Sequence, residues 1–271
     1  MTDAPCRQPS RLRLALQDLL EGTSHWWLWG RLGWQDILLR YRGSVLGPLW
    51  ITLSMTLTVL SLAFLYSRLF HISLDHFLPF LCLGYLAWGL ISGIIGETCT
   101  VFIAYSSVIK QTKIPFTSHV LRSIWRNYLI FFHNLVAYVL VALYFGIWPG
   151  WGILLSLLSL FLIFVNGMWI GLLLGLLAAR FRDVPPIIGS LLQFAFFVTP
   201  IMWEPQLLEE GARGYLWLNP FYPFVSTFRG PLIGEMPDVR MWMIIGAVTV
   251  IGWALTVCVF ARVRGRISYW I

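Results

Sequence analysis

The sequence predicts an all-α polytopic membrane protein with six transmembrane helices, and three observations carry that expectation. The 271 residues are 58% hydrophobic and only 11% charged, where soluble domains carry roughly 25% charged residues, so there is too little charge to solvate a globular surface. Several apolar runs reach the length of about 20 residues that a helix needs to cross a bilayer. Most of the 19 basic residues stand on one side of those runs. They are Arg7, Arg11, Arg13, Arg31, Arg40 and Arg42 before the first, Lys110, Lys113, Arg122 and Arg126 between the second and third, Arg180 and Arg182 after the fourth, and Arg262, Arg264 and Arg266 after the last. This bias marks the cytoplasmic face, so both termini are expected to be cytoplasmic. The net charge of +7 is thereby assigned to the inner membrane surface, and no nucleic-acid partner is implied.

Residues 1–47 read as a cytoplasmic lead-in and residues 48–271 as the six-span domain. The opening MTDAPCRQPSRLRLALQDLLEG has no uninterrupted apolar core and no small-residue cleavage site, so it is expected to be retained rather than removed as a signal peptide. Ser10 is placed to cap a short helix with Leu12, Leu16, Leu19 and Leu20 on one face and Gly22 past its end. Its charges oppose the helix dipole, with Arg11 and Arg13 at the start and Asp18 and Glu21 at the end. Next, Trp27, Gly30, Trp34, Ile37, Leu38 and Tyr41 recur at helical spacing while Arg31, Gln35, Asp36 and Arg40 face elsewhere, the pattern of a helix lying in the membrane interface. Asp36 and Arg40 form a favourable i,i+4 pair on it. Tyr41, Arg42, Gly43, Gly47 and Pro48 then make an elbow. Pro48 suits the first position of a helix and pushes Gly47 out of helical geometry, while Gly43 and Gly47 free the chain to turn.

The six spans are placed at about 48–70, 77–103, 124–146, 151–179, 185–202 and 239–261. The second and third are joined inside by AYSSVIKQTKIPFTSHVLR, which holds both lysines of the chain in an amphipathic stretch that Pro115 stops. GIWPGWG joins the third and fourth outside, and RFRDVPP joins the fourth and fifth inside. Residues 203–238 form the longest outer segment, apolar and aromatic yet too broken by proline to cross; such segments dip back into the membrane or line a cavity. Gly167, Gly171 and Gly175 recur every four residues in the fourth span, as Gly89 and Gly93 do in the second, which allows close helix approach without saying whether the partner helix is in the same chain.

For chemistry, the firmest exclusion concerns ATP. A phosphate-binding loop needs Gly-Lys-[Ser/Thr], and the two lysines follow Ile109 and Thr112; if ATP drives this protein, another subunit binds it. The scattered Cys6, Cys82, Cys99 and Cys258, and His71, His76, His119 and His133, form no metal-ligand spacing. Glu97 and Arg126 stand about equally far from a turn at Gln111, so an antiparallel hairpin would pair them inside the membrane, with Arg122 as the alternative partner. The same counting puts His133 and Asn134 level with Trp88 and Gly89. Tyr85 and Trp88 on the second span, and Trp125, Tyr128 and Phe132 on the third, could form an aromatic track for a polar, ring-shaped cargo, or simply pack the core.

Taken together, YRGSVLGPLW, VIKQTKIP, RNYLIFFHN, ARFRDVPPIIGSLLQFAFFVTPIMWEP, LNPFYPFVSTFRGPLIG and RGRISYWI resemble, in order and spacing, the membrane subunit of ABC-2 type polysaccharide exporters, the O-antigen, capsule and teichoic-acid export family. The resemblance runs from about Trp26 to Ile271 and leaves the residues before it unplaced. It implies a homodimer in the bacterial inner membrane, working with two copies of a separate subunit that holds ATP and Mg and hydrolyses the nucleotide, while this chain carries no cofactor. By that likeness the interface helix is Trp26–Arg42, and a cytoplasmic coupling helix near Ser106–Lys113 touches the ATPase, with Ser106, Lys110, Gln111 and Lys113 as candidates. It also implies re-entrant outer helices at 205–233 and a channel lined by Tyr85, Trp88, Trp125 and Tyr128. The expected function is export of a lipid-linked glycan. The alternatives are another lipid or drug cargo, an intramembrane transferase using Glu97 and His133, and a non-catalytic scaffold.

Overall fold

A computed structural model describes residues 10–47 and 49–271, and within them it is entirely helical. Arg7, Cys6 and Pro48 lie outside the described residues. Five helices are long and apolar enough to cross a membrane: α3 (Leu49–Phe70), α4 (Leu74–Cys99), α7 (Phe116–Phe145), α8 (Gly152–Arg180) and α12 (Val239–Val263). The expected fifth span is shorter: α9 (Val184–Val198) has 15 residues, about 22 Å at 1.5 Å per residue, against a hydrocarbon core of about 30 Å.

Helix α1 (Arg11–Ser24) begins as expected, with Ser10 Oγ accepting the Arg13 N–H. Its end and its buried face differ from expectation. Gly22 lies inside the helix against Thr117, and the buried positions are Ala15, Asp18 and Gly22, leaving Leu12, Leu16 and Leu20 exposed. The acid at the disfavoured end of the dipole explains the rotation. Asp18 is 1% exposed and accepts bonds from the Phe116 N–H, the Thr117 N–H and the Thr117 hydroxyl, while Arg264 holds its other side at 2.9 Å. It thus caps α7 from a distance, satisfying donors that the helix's own N-cap, Pro115, leaves open.

Helix α2 (Trp26–Arg40) ends two residues before the expected Arg42, and Tyr41 caps it, its N–H donating to the Ile37 carbonyl. Gly43 and Gly47 both take left-handed φ (83° and 54°), which other residues adopt at a cost, and Ser44 Oγ accepts the Gly47 N–H. The elbow is therefore a real turn between α2 and α3.

Helix α4 is buried on nearly every side and packs against α3, α7, α8 and α9. After it come two short helices, α5 (Val101–Ala104) and α6 (Ser106–Gln111). Helix α7 then starts at Phe116, eight residues earlier than expected, because the Asp18 cap sustains its first turns. The glycines of α8 meet helices of the same chain. Gly167 faces Ile94 and Ile124, Gly171 faces Val120 and Thr98, and Gly175 faces Phe102.

The segment between α9 and α12 holds α10 (Glu210–Arg213) and α11 (Phe221–Arg229), linked and flanked by short 3-10 turns. α11 is buried against α4, α8 and α12; Ser156 Oγ donates to its Phe228 carbonyl at 2.8 Å, and Tyr138 Oη donates at 3.0 Å to the Leu232 carbonyl in the 3-10 turn that follows. Arg229, 3% exposed, donates to the Pro200 carbonyl at 2.9 Å and lies over the Phe80 ring. The short α13 (Ile267–Trp270) packs on α6 and α8.

Candidate functional site

Where α2, α4 and α7 meet, the structure gathers five charged side chains. Arg126 donates to Glu97 Oε2 from Nε (3.0 Å) and Nη2 (2.7 Å), so the two residues that depth counting sets level are in contact. Arg122, the alternative partner, is taken instead by Asp36, with Nε 2.8 Å from Oδ2 and Nη2 on Oδ1. Asp36 therefore does not pair with Arg40 on its own helix. It turns inward to Arg122 and Arg126, and Arg40 reaches Glu97 at 3.7 Å. Tyr105 bonds Asp36 and lies under the Arg122 guanidinium, 4.4 Å from the ring centre, and Asn127 Nδ2 donates to Glu97 at 2.7 Å. The inward turn of Asp36 on α2 is not legible in the sequence, because the local i,i+4 rule offers it a nearer partner in Arg40.

Above Asn127 the bundle opens. A cavity of about 250 Å³ between α3, α4 and α7 is lined by Ser54, Thr58, Tyr85, Gly89, Asn127 and Asn134 among others. A wider cleft of about 450 Å³ between α4 and α9 is lined by Tyr85, Trp88, Gly89, Ser92, Gln193 and Phe196. Tyr85 and Gly89 line both spaces. Gly89 and Asn134, expected at one depth, face the same cavity.

Of the four aromatic candidates, Tyr85 and Trp88 line these spaces, and Phe196 packs on both. Trp125 and Tyr128 line neither. Trp125 packs edge-on against Trp29 and beside Gly33, and the Tyr128 hydroxyl is bound to the Leu160 carbonyl within the α7–α8 contact. Counting positions fixes depth along a helix but not azimuth, so it does not tell these two from Tyr85 and Trp88. Gln193 was missed, although an amide inside an apolar run is itself a signal.

Glu97 and His133 have separate partners. Glu97 is engaged by Arg126, Asn127 and Arg40, and His133 Nδ1 sits 2.7 Å from the Leu129 carbonyl of its own helix. On α6, Ile109 is buried and anchors the helix, whereas Lys110 and Gln111 on it and Lys113 just beyond are exposed; Ser106 is half-buried at its start.

Among the described residues, five helices of membrane-crossing length and apolarity make this a multi-pass membrane protein, with an open cleft between α4 and α9. Residues 28–233 match the ABC-2 type transporter family, and the chain belongs to it. The family makes it the membrane part of a transporter rather than the ATPase. It is similar to the O-antigen export system permease protein RfbA of Myxococcus xanthus, with 26% identity over 222 residues, 80% of this chain and 85% of the relative. It is also similar to RfbA of Klebsiella pneumoniae, with 23% identity over 199 residues, 72% of this chain and 76% of that protein. The match to the family begins after α1.

Proposed function

We propose that this chain is the membrane subunit of an ATP-driven exporter that moves a lipid-linked, O-antigen-like polysaccharide from the cytoplasmic to the outer side of a bacterial inner membrane. The observation that carries the cargo class is the lining of the cavity and the cleft that share Tyr85. Rings (Tyr85, Trp88, Phe196) stand beside hydroxyls and amides (Ser92, Gln193, Asn134), the chemistry that slides along a sugar chain without holding it tightly. The names of the relatives point the same way.

In this reading the chain crosses the membrane six times. α9 leaves the arginine-rich end at Arg180 and Arg182; Ile201 reaches Gly84 midway along α4, and Glu204 reaches His76 at its far end, 3.2 Å away. The segment after α9 thus completes the passage that the helix is too short to make, and α11 is the re-entrant element above it. Both termini are then cytoplasmic.

The complex is a homodimer with two copies of an ATP-binding subunit that holds ATP and Mg. No residue of α9 is buried in the single chain, and α3 exposes Leu53, Leu57, Leu60 and Phe64, which suits a second copy beside the cleft. Lys110, Gln111 and Lys113 dock the ATPase through α6. Its movement passes through Tyr105 to the Asp36–Arg122–Arg126–Glu97 cluster, and so to α2, α4 and α7. The elbow at Gly43 and Gly47 lets α2 shift relative to α3.

A second reading, another lipid as cargo, is favoured by an apolar groove of about 290 Å³ between α7 and α8 lined by Leu135, Val139, Leu143, Trp148 and Ile153. Affinity purification of the tagged chain from its native membrane tests the transporter assembly. A stoichiometric P-loop ATPase that cross-links to Lys110 and Lys113 is the expected result, and its absence while a control ABC complex survives would remove the proposal.

A further inference from the structure

The two walls of the cleft continue past it. α4 carries Phe80, Gly84 and Trp88 at i,i+4 spacing along one side. The segment after α9 runs beside them, its Ile201 carbonyl oxygen 3.1 Å from where a Cβ on Gly84 would lie. That carbon would also meet Arg229 Nη1 at 3.0 Å, so the missing side chain lets this segment and the end of α11 close on α4 together. At Phe80, about 8 Å along α4 from Tyr85 toward the start of the helix, lies a separate pocket of about 150 Å³. Phe80, Glu204, Arg229, Glu235 and Met236 are among its walls.

Its charged groups are incompletely used. Arg229 is buried; its Nη1 donates to the Pro200 carbonyl, and among the described residues no carboxylate is in ion-pair contact with it. A guanidinium has five N–H donors, and a buried charge without a paired counter-charge is costly. Glu204 Oε1 is buried and accepts no hydrogen bond, although His76 Nδ1 lies 3.2 Å away. Glu235 is brought round by the left-handed turn at Gly234 (φ 88°) and by its own N–H, which donates to the Gly230 carbonyl at 2.8 Å. It stays exposed, at the mouth.

We propose that this pocket is a subsite for one neutral sugar unit of the exported chain, the next station beyond the cleft. Arg229 repels a cation. An anion such as a lipid phosphate would have to pass Glu235 at the mouth before meeting Arg229 inside. A hydroxyl suits both signs, because its oxygen accepts from a guanidinium while its hydrogen goes to a carboxylate. A pyranose ring carries such hydroxyls around its edge, and its C–H faces suit the apolar surfaces of Phe80 and Met236. The space holds about five waters at about 30 Å³ each, which is room for one sugar ring. The inference rests on the glycan reading of the cleft and adds where the chain is held once it has passed Tyr85.

The test keeps the full complex in its native membrane. A photoreactive benzoylphenylalanine replaces either Phe197, 64% exposed on the cleft wall, or Met236, 76% exposed at the pocket. After illumination during ATP hydrolysis, adducts are identified by carbohydrate staining and mass spectrometry. Glycan adducts are expected at both positions, and Glu235→Leu should lower the yield at 236 several-fold while leaving that at 197 unchanged. Glycan at 197 with none at 236, phospholipid in its place at 236, or a yield at 236 that Glu235→Leu does not lower overturns the subsite and leaves the export reading standing. No glycan at either position, with the chain at its normal amount in the membrane, removes both.

Discussion

Arg126 grips Glu97 with two of its nitrogens, Nε at 3.0 Å and Nη2 at 2.7 Å, and holds Asp36 at 3.1 Å with the third. One guanidinium therefore ties helix α2 to the largely buried helix α4. Asp36 is the more constrained acid, because Arg122 depends on it as well.

Asp36→Asn is expected to lower stability by about 3 kcal/mol, the scale for removing one partner from a buried pair. Glu97→Gln is expected to cost about 1 kcal/mol, since Glu97 is more exposed and Arg126 keeps Asp36. Thermal unfolding of the solubilised chain in one detergent checks the order. The charge-swapped double variant Glu97→Arg with Arg126→Glu should stay impaired, because the new carboxylate would face Asp36.

Asp18→Asn removes the charge that caps α7 and pairs with Arg264. A lost cap costs about 1 kcal/mol, and the unpaired arginine adds to that, so a loss of about 2–3 kcal/mol is expected. Hydrogen exchange should show the first turns of α7, from Phe116, opening before the rest of the helix.

Gly171→Ala puts a methyl group against Val120 and Thr98, where the added carbon would lie 2.7–2.8 Å from its neighbours. The expected destabilisation is about 1–3 kcal/mol, read as a lower unfolding temperature. Gly89→Ala meets nothing within 4 Å and should leave stability nearly unchanged.

The cleft separates the aromatic candidates by function. Tyr85→Ala and Gln193→Ala should reduce glycan export at least several-fold with the fold preserved. Tyr128→Phe should cost about 1 kcal/mol for its hydrogen bond to Leu160 and leave export near normal. Surface polysaccharide per copy of the protein is the quantity to measure.

What could be read in the sequence and what could not divides along physical lines. Apolar runs and the placement of arginines fix the ends of the long helices to within four residues, except the start of α7, which the distant Asp18 cap moves to Phe116, and Gly43 and Gly47 mark a turn that the backbone makes. Depth is legible too, since Glu97 and Arg126 meet as counting from a hairpin suggests. Azimuth is not, which is how Tyr128 came to be grouped with Tyr85. Contacts across great sequence distance were also hidden: Asp18 meets Arg264 and Thr117, and Asp36 meets Arg122. The signal for the first was present, however. An acid at the unfavourable end of its own helix, with no local partner, belongs to a distant one.

The central claim is export of a lipid-linked glycan, and the most direct measurement compares cells lacking this chain with cells in which the full chain is restored. The account predicts that its loss removes polysaccharide from the cell surface while the lipid-linked glycan accumulates on the cytoplasmic side, and that restoration reverses both. Unchanged surface polysaccharide with no accumulated glycan would contradict it, and the cargo would have to be sought among other lipids.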